Sequence, residues 1–276
     1  MIRAFVGRIA VATRQADQRT RLERVVFGAV SVAILVVPVL NLIAVLPHST
    51  YWGFDYRFFV DAAARWTTGG TFYPPYQLTG PFGETLMYVL YPPTTLLLLV
   101  PFIYLPAVLW WAIPAGIFIW QLIQLRPRPL VWPFLAICLA WPGTPLTIYV
   151  GNPAMWFAAA LAAGTLWAWP SVLIFLKPQL AVFALWGIHR RSWWLGLAVL
   201  AALSLLFLPL WPDWIVSVQN SRIGGVFHSV QQIPLFLWPV IVWIGRSRSE
   251  GEPIFGEGPR RVASLLVRVR PSSRPS

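Results

Sequence analysis

The chain has 276 residues, 58% of them hydrophobic and 11% charged, with 17 tryptophans and a formal net charge of +12. Mean hydropathy is +0.66, and soluble domains carry about 25% charged residues, so a water-soluble globular enzyme is excluded and an all-α polytopic membrane protein is expected. The positive charge sits on arginines that flank apolar segments, which is a membrane-orientation signal and requires no nucleic-acid partner.

Residues 1–24 carry Arg3, Arg8, Arg14, Arg19, Arg21 and Arg24 and read as a basic cytoplasmic arm. Val25 to Leu46 is apolar and, at a requirement of ~20 residues, long enough to span a bilayer, with no small-residue cleavage site after it. Residues 25–245 are expected to form the membrane domain. Within it, 47–88 is a polar interruption, read as an external loop bearing short helices. The uncharged runs that follow are Val89 to Leu125, broken at Leu105-Pro106, and Pro129 to Leu176, interrupted at Trp141-Pro142-Gly143-Thr144-Pro145 and Val150-Gly151-Asn152-Pro153. Ser171 to Ile188, Trp193 to Leu210 and Ile233 to Ile244 complete a count of about eight spans, with a range of about seven to nine. Residues 246–276, rich in Arg, Gly, Pro and Ser, are expected to be a disordered cytoplasmic tail.

Orientation follows from the basic residues. With the amino terminus inside, His189-Arg190-Arg191 and the tail fall inside and residues 211–232 outside, as the positive-inside rule requires. The same count puts Arg126 and Arg128 outside, a conflict that a non-crossing break at Leu105-Pro106 or a re-entrant segment would remove. Trp110, Trp111, Trp167, Trp169, Trp193, Trp194, Trp211 and Trp214 lie near span ends, where indoles anchor helices at the interface. Cys138, the single cysteine, reads as a small core residue and excludes an intrachain disulfide. Many of the 26 prolines fall inside spans, and broken helices are tolerated only where protein or a wet cavity resatisfies the backbone.

Candidate chemistry begins with Lys177, the one lysine among 21 basic residues, in the apolar context Phe175-Leu176-Lys177-Pro178-Gln179. An ionised amine at membrane depth costs about 2.5–3.5 kcal/mol, so it is expected to face a cavity or a partner. The alternative is snorkelling to an outer end near Pro170. Asp55 is the candidate general base, with Asp61 and Glu84 of the same loop as alternatives. Tyr91 precedes a proline pair that opens a helix, and His228 lies in the last outer loop as a possible second acid or base. Arg57, Arg65 and Arg222 are outer-face cations able to hold a phosphate. No phosphate-binding loop, dinucleotide fingerprint, zinc motif or nucleophile elbow occurs, so no cofactor and no metal are expected.

The order of an acid after the first span (Asp55), Ala62-Ala63, Gly69, Tyr73, Tyr91-Pro92-Pro93, Gly151-Asn152, Lys177-Pro178-Gln179 and Arg190-Arg191 resembles glycosyltransferase family 87. That family comprises polyprenyl-phosphate-mannose-dependent mannosyltransferases of the integral-membrane GT-C class. The resemblance covers roughly Trp52 to Trp194 and implies a GT-C-like helical bundle in a bacterial-type plasma membrane. It further implies transfer of a hexose, mannose in that family, from a polyprenyl-phosphate donor to an external lipid or glycan acceptor. Asp55 would then activate the acceptor hydroxyl, and Lys177 would stabilise charge on the departing phosphate. Tyr91, Gln179, Asn152, Arg57 and His228 are the remaining donor-binding candidates, and the prenyl tail would lie among membrane lipids between spans. The family's Gly-Gln turn is Gly151-Asn152 here. Members continue further past the Lys-Pro element, so a shortened member is expected. The alternative is a non-catalytic membrane protein that binds or moves a polyprenyl-linked glycan.

Overall fold

In the computed structural model, which describes residues 2–45, 51–83, 87–222 and 229–247, every regular element is helical. The isolated bridges Phe82–Ser221 and Pro127–Arg246 are the sheet-like pairings among the described residues. Helix α1 runs without a break over Ile2–Val45, so the basic arm continues the first span as helix. Its Arg21–Ala44 portion has a mean hydropathy of 2.5 and none of its membrane window is buried, as expected of a helix that faces lipid. The interruption that follows contains α2 (Phe54–Thr67) and α3 (Pro75–Thr79). A short run over Pro93–Ile103 has α4 (Leu96–Leu99) at its middle, and α5 covers Val108–Leu125.

Next come α6 (Trp132–Ala140), α7 (Gly143–Val150) and α8 (Ala154–Gly164). Two 3-10 segments, Trp169–Leu176 and Pro178–Leu185, precede α9 (Arg191–Ser204). Another 3-10 stretch, Leu205–Leu210, leads to α10 (Trp211–Asn220), and α11 covers Ile233–Ile244.

Three helical stretches are long and apolar enough to cross a membrane, Arg21–Ala44, Val108–Leu125 and Arg191–Asn220, and the α6–α7 pair, bent by 60°, makes a fourth if taken as one span. Of the about eight expected spans, three or four are thus shown among the described residues, by length and composition. Helix α11 has 12 residues, which at 1.5 Å per residue reach about 18 Å against a hydrocarbon core of ~30 Å. Lack of charge marked these short elements as apolar but carried no information about their length or direction.

The contacts define two ends. At one, Arg128 N–H donates to Gly245 O (2.8 Å), Ser247 Oγ donates to Arg126 O (2.7 Å), and Trp186 meets Trp243 edge-on at 4.9 Å. Arg126, Arg128 and Arg246 therefore share one end, with Arg190 and Arg191 following shortly after Trp186. At the other end, Gly53 N–H donates to Tyr149 O (3.0 Å) and Trp110 Nε1 donates to Gly151 O (2.8 Å). The expectation that Arg126 and Arg128 lie opposite the tail arginines is overturned. Its cause is the Pro93–Ile103 run. This run starts beside Tyr91, which bonds Asn152, and finishes with Phe102 packed 4.8 Å from Trp110, which bonds Gly151. Both of its ends thus lie near the same end of the bundle, so the run does not cross and the Leu105-Pro106 break is not a turn between two spans.

Ser171 to Ile188 is likewise not a span. The two 3-10 segments form a hairpin whose legs meet at the basic end, where Ser171 Oγ donates to Trp186 O. A side chain on Gly187 would sit 2.6 Å from Ala168 Cβ. Each leg has eight residues, a reach of about 16 Å at 2.0 Å per residue, so the apex stops inside the bundle. Lys177-Pro178 forms that apex. Pro170 thus lies at the basic end, not at an outer end toward which Lys177 would snorkel. Small residues admit the hairpin: Ala158, Ala159 and Ala162 of α8 are fully buried, and Gly164 leaves room for Ser171. In lipid, where hydrophobic gain between helices is small, such close approach supplies the packing energy.

The main core joins Phe72, Leu96, Trp110, Phe157, Ile174 and Phe236. Trp110 and Trp193, expected at the interface, are 0% and 2% exposed, and their indole N–H groups donate to Gly151 O and Ala184 O. They are core residues. Cys138 is buried beside Leu135, Trp238 and Val242. Residues 248–276 lie outside the described residues.

Candidate functional site

Four residues named from sequence meet at the end opposite the arginines. Asp55 stands in the first turn of α2, where the positive end of the helix favours a carboxylate. Asn152 follows Gly151, Tyr91 precedes the Pro93–Ile103 run, and Lys177 tops the hairpin. Lys177 Nζ donates to Tyr91 Oη (3.3 Å), Tyr91 Oη donates to Asn152 Oδ1 (3.1 Å), and Asn152 Nδ2 donates to Asp55 Oδ2 (2.6 Å). The direction is fixed by the amide. Ala154 N–H donates to Asn152 Oδ1 (3.0 Å), so the oxygen must face that way and the NH2 must face Asp55. Every donor therefore points toward the carboxylate, and the last link is as short as a charge-assisted bond should be.

Local sequence explains the placement. Gly151 ends α7 at φ +72°, and a Cβ there would lie 2.8 Å from Tyr56 Cβ and 2.9 Å from the Trp111 ring. Only glycine can turn the chain here while the α2 and α5 aromatics press against it. Trp110 and Trp111 then bond Gly151 O and Ile148 O, fixing the turn that presents Asn152.

Tyr91 is held by a clamp that the sequence did not reveal. Gln77 is fully buried; its Nε2 donates to Ser217 Oγ (2.6 Å) and Val89 O (3.1 Å), and its Oε1 accepts from Val89 N–H (2.9 Å). Tyr73 Oη donates to Tyr91 O (2.9 Å), and Trp214 Nε1 donates to Leu90 O (3.0 Å). Burial, with Asp213 adding, pushes the Tyr73 hydroxyl far above its ordinary range, so it stays a donor. Burial, followed by the charge of Asp55, raises Tyr91 as well, which keeps its proton on the bond to Asn152. The only sequence signal for Gln77 was a polar residue just inside a short helix that begins with proline.

The carboxylate also faces a cleft of about 220 Å³ lined by Asp55, Gly143, Leu146, Thr147, Val150, Asn152, Gln231 and Gln232. Lys177 is not on its wall. Lys177 is 6% exposed, and its Nζ lies 5.1 Å from the Tyr91 ring centroid. Snorkelling is excluded by this burial. Direct contact between Lys177 and a group in the cleft, expected from sequence, is replaced by contact with the Tyr91 hydroxyl.

The other expected residues are dispersed. Gln179 is half-buried in the hairpin's second leg, and its side chain makes no hydrogen bond among the described residues. Arg57 is exposed, with Nη1 donating to Trp52 O (2.7 Å). Asp61, Arg65 and Arg222 are exposed and do not line the cleft. His228 and Glu84 lie outside the described residues. Among the described residues no three His, Cys, Asp or Glu side chains gather in a way that would hold a metal. Residues missed from sequence are Gln231, Gln232 and Thr147, all on the cleft wall. Comparison with known proteins finds no relative: no family model, no curated protein and no solved structure matches the chain.

Proposed function

We propose that the chain is an integral-membrane glycosyltransferase that moves a hexose, with mannose the sugar implied by the resemblance, from a polyprenyl-phosphate donor to a hydroxyl of a lipid or glycan acceptor. The reading is supported above all by one observation: a lone carboxylate opens onto a cleft and is backed by a hydrogen-bonded chain ending in a buried ammonium. Asp55 Oδ1 or Oδ2 takes the proton of the acceptor hydroxyl as its oxygen attacks the anomeric carbon. The bond from that carbon to the phosphate oxygen breaks, and the polyprenyl phosphate leaves with the electron pair. One base suffices for such an inverting displacement.

Lys177 works at one remove. Through Tyr91 and Asn152 it holds the carboxylate in one orientation and supplies fixed positive charge where water is excluded, which is where preorganised charge is most effective. The end rich in Arg126, Arg128, Arg190, Arg191 and Arg246 faces the cytoplasm under the positive-inside rule, and the Asp55 end faces outward in a bacterial-type plasma membrane.

The test is Asp55→Asn, which keeps the Asn152 contact but abolishes the base. Membranes bearing the variant, supplied with labelled polyprenyl-phosphate mannose, should lose transfer by about 10²–10⁴-fold. Undiminished transfer removes Asp55 from the mechanism.

A further inference from the structure

At the end opposite Asp55, the α5–α6 connection is locked to the close of α11. Arg128 N–H donates to Gly245 O (2.8 Å), Ser247 N–H to Leu125 O (3.2 Å) and Ser247 Oγ to Arg126 O (2.7 Å), around the antiparallel bridge of Pro127 with Arg246. Trp132 Nε1 holds Pro127 O (3.2 Å), and a side chain on Gly245 would sit 2.5 Å from Val131 Cγ2. Arg246 Cζ lies 3.9 Å over the Trp243 ring and closes the α11 side. Pro127 and Pro129 fix φ on either side of Arg128. Arg126 and Arg128 are thus mounted on a rigid strap.

The strap carries a backbone outlier. Arg126 follows α5 at φ +45°, the one non-glycine at positive φ among the described residues. Glycine takes that conformation freely after a helix, whereas a side chain there is strained. Strain kept at a charged residue points to a use for its side chain. Arg126 and Arg128 are exposed, and among the described residues their guanidinium groups make no hydrogen bond or ion pair. Arg24 is brought close to them: one turn further along α1, Gly28 meets the ring of Trp132, the residue that holds Pro127. It too is exposed and unpaired among the described residues, while the neighbouring acid Glu23 is engaged. Apolar side chains adjoin these cations, with Ile123 and Leu130 each 59% exposed and Ile244 61%.

We infer that the strap is a binding site for one anionic phospholipid, with Arg126, Arg128 and Arg24 on its phosphate and its acyl chains against Ile123, Leu130 and Ile244. Planar guanidinium groups take phosphate oxygens in pairs. A soluble anion would leave the adjoining apolar surface uncovered, while a phospholipid satisfies both the cations and that surface. Arginines at a membrane surface favour anionic lipid by about 5-fold per charge. Mounting them on rigid backbone removes the ordering cost that a flexible basic segment incurs on binding. Arg190 and Arg191 share this end but stand on a separate segment, at the start of α9. The site lies opposite Asp55 and is independent of the transferase reading.

The test titrates the full chain, purified in detergent, with phosphatidylglycerol or phosphatidylcholine and counts bound lipid by native mass spectrometry. A first phosphatidylglycerol should bind at least about 10-fold more tightly than phosphatidylcholine. The double variant Arg126→Gln with Arg128→Gln should weaken it about 20-fold. Arg190→Gln with Arg191→Gln removes the same charge from the same end and should weaken it less than about 2-fold. Arg126→Gly guards against misfolding because it relieves the strained backbone: without lipid it should unfold no lower than the native chain, yet lose about 5-fold in phosphatidylglycerol affinity. Equal losses in the two double variants would reveal a diffuse basic surface and overturn the inference. So would equal binding of the two lipids, displacement of phosphatidylglycerol by millimolar inorganic phosphate, or unchanged affinity in Arg126→Gly.

Discussion

The apolar part of helix α1, residues 25–45, and the Lys177 hairpin are both nearly free of charge, yet they do opposite things. Helix α1 is one continuous helix with no part of its membrane window buried. The hairpin is two 3-10 legs that fold back on themselves and bury Val172, Ile174, Leu176 and Leu180 inside the bundle. The difference lies in length and in what each end meets. A long uninterrupted helix satisfies its own backbone and can face lipid alone. A short leg cannot cross, so it survives only where neighbouring helices surround it, and its apex then arrives at membrane depth. That apex is where a lysine can be held against a tyrosine hydroxyl. Long helices fix the molecule in the bilayer; short broken ones build the site.

The comparison is most sharply broken at a glycine. Gly151→Val places a branched side chain at φ +72° against Tyr56 and Trp111. We expect about 3 kcal/mol or more of destabilisation from backbone strain and overpacking, read by thermal unfolding in detergent, together with loss of transfer. Gly116 of α5 meets nothing within 4 Å, and Gly116→Ala should leave unfolding within about 0.5 kcal/mol of the native chain.

A smaller effect is expected from cutting the chain of donors at its middle. Asn152→Ala removes the 2.6 Å bond to Asp55 and leaves the Tyr91 hydroxyl without its acceptor. Transfer should fall about 10- to 30-fold, about 1.4–2 kcal/mol of transition-state stabilisation, with much less change in unfolding temperature. If unfolding shifts by as much as for Gly151→Val, the residue serves packing and not the site.

The smallest effect belongs to the lipid-facing side. Leu40 is 60% exposed on α1. Leu40→Val should change neither insertion nor transfer measurably, staying within about 0.5 kcal/mol. A large loss of transfer would mean that α1 contacts substrate, and the division between anchoring and site-building elements would fail.

Some of this was legible in the residues and some was not. The bounds of Ile233 to Ile244 could be read directly, because charge and polarity change sharply at both ends. The breaks at Trp141-Pro142 and Gly151-Asn152 were legible because proline and glycine punctuate backbone whatever surrounds them. Lys177 and Asp55 stood out through chemical rarity. The hairpin did not: a run without charge looks the same whether it crosses or doubles back, and only Gly187 against Ala168 and Ser171 against Trp186 distinguish the two. Gln77 escaped notice because a buried amide shows in sequence only as a polar residue in a loop; its importance comes from a partner 140 residues away.

The central claim is that Asp55 and Lys177 act through one connected chain, and a double-mutant cycle on sugar transfer tests it. Asp55→Asn alone should cost about 10³-fold and Lys177→Met alone about 10²-fold. Because Lys177 works only by way of Asp55, the double variant should be no more than about 2-fold worse than Asp55→Asn. Losses that multiply to about 10⁵-fold would show two independent contributions and would contradict the account.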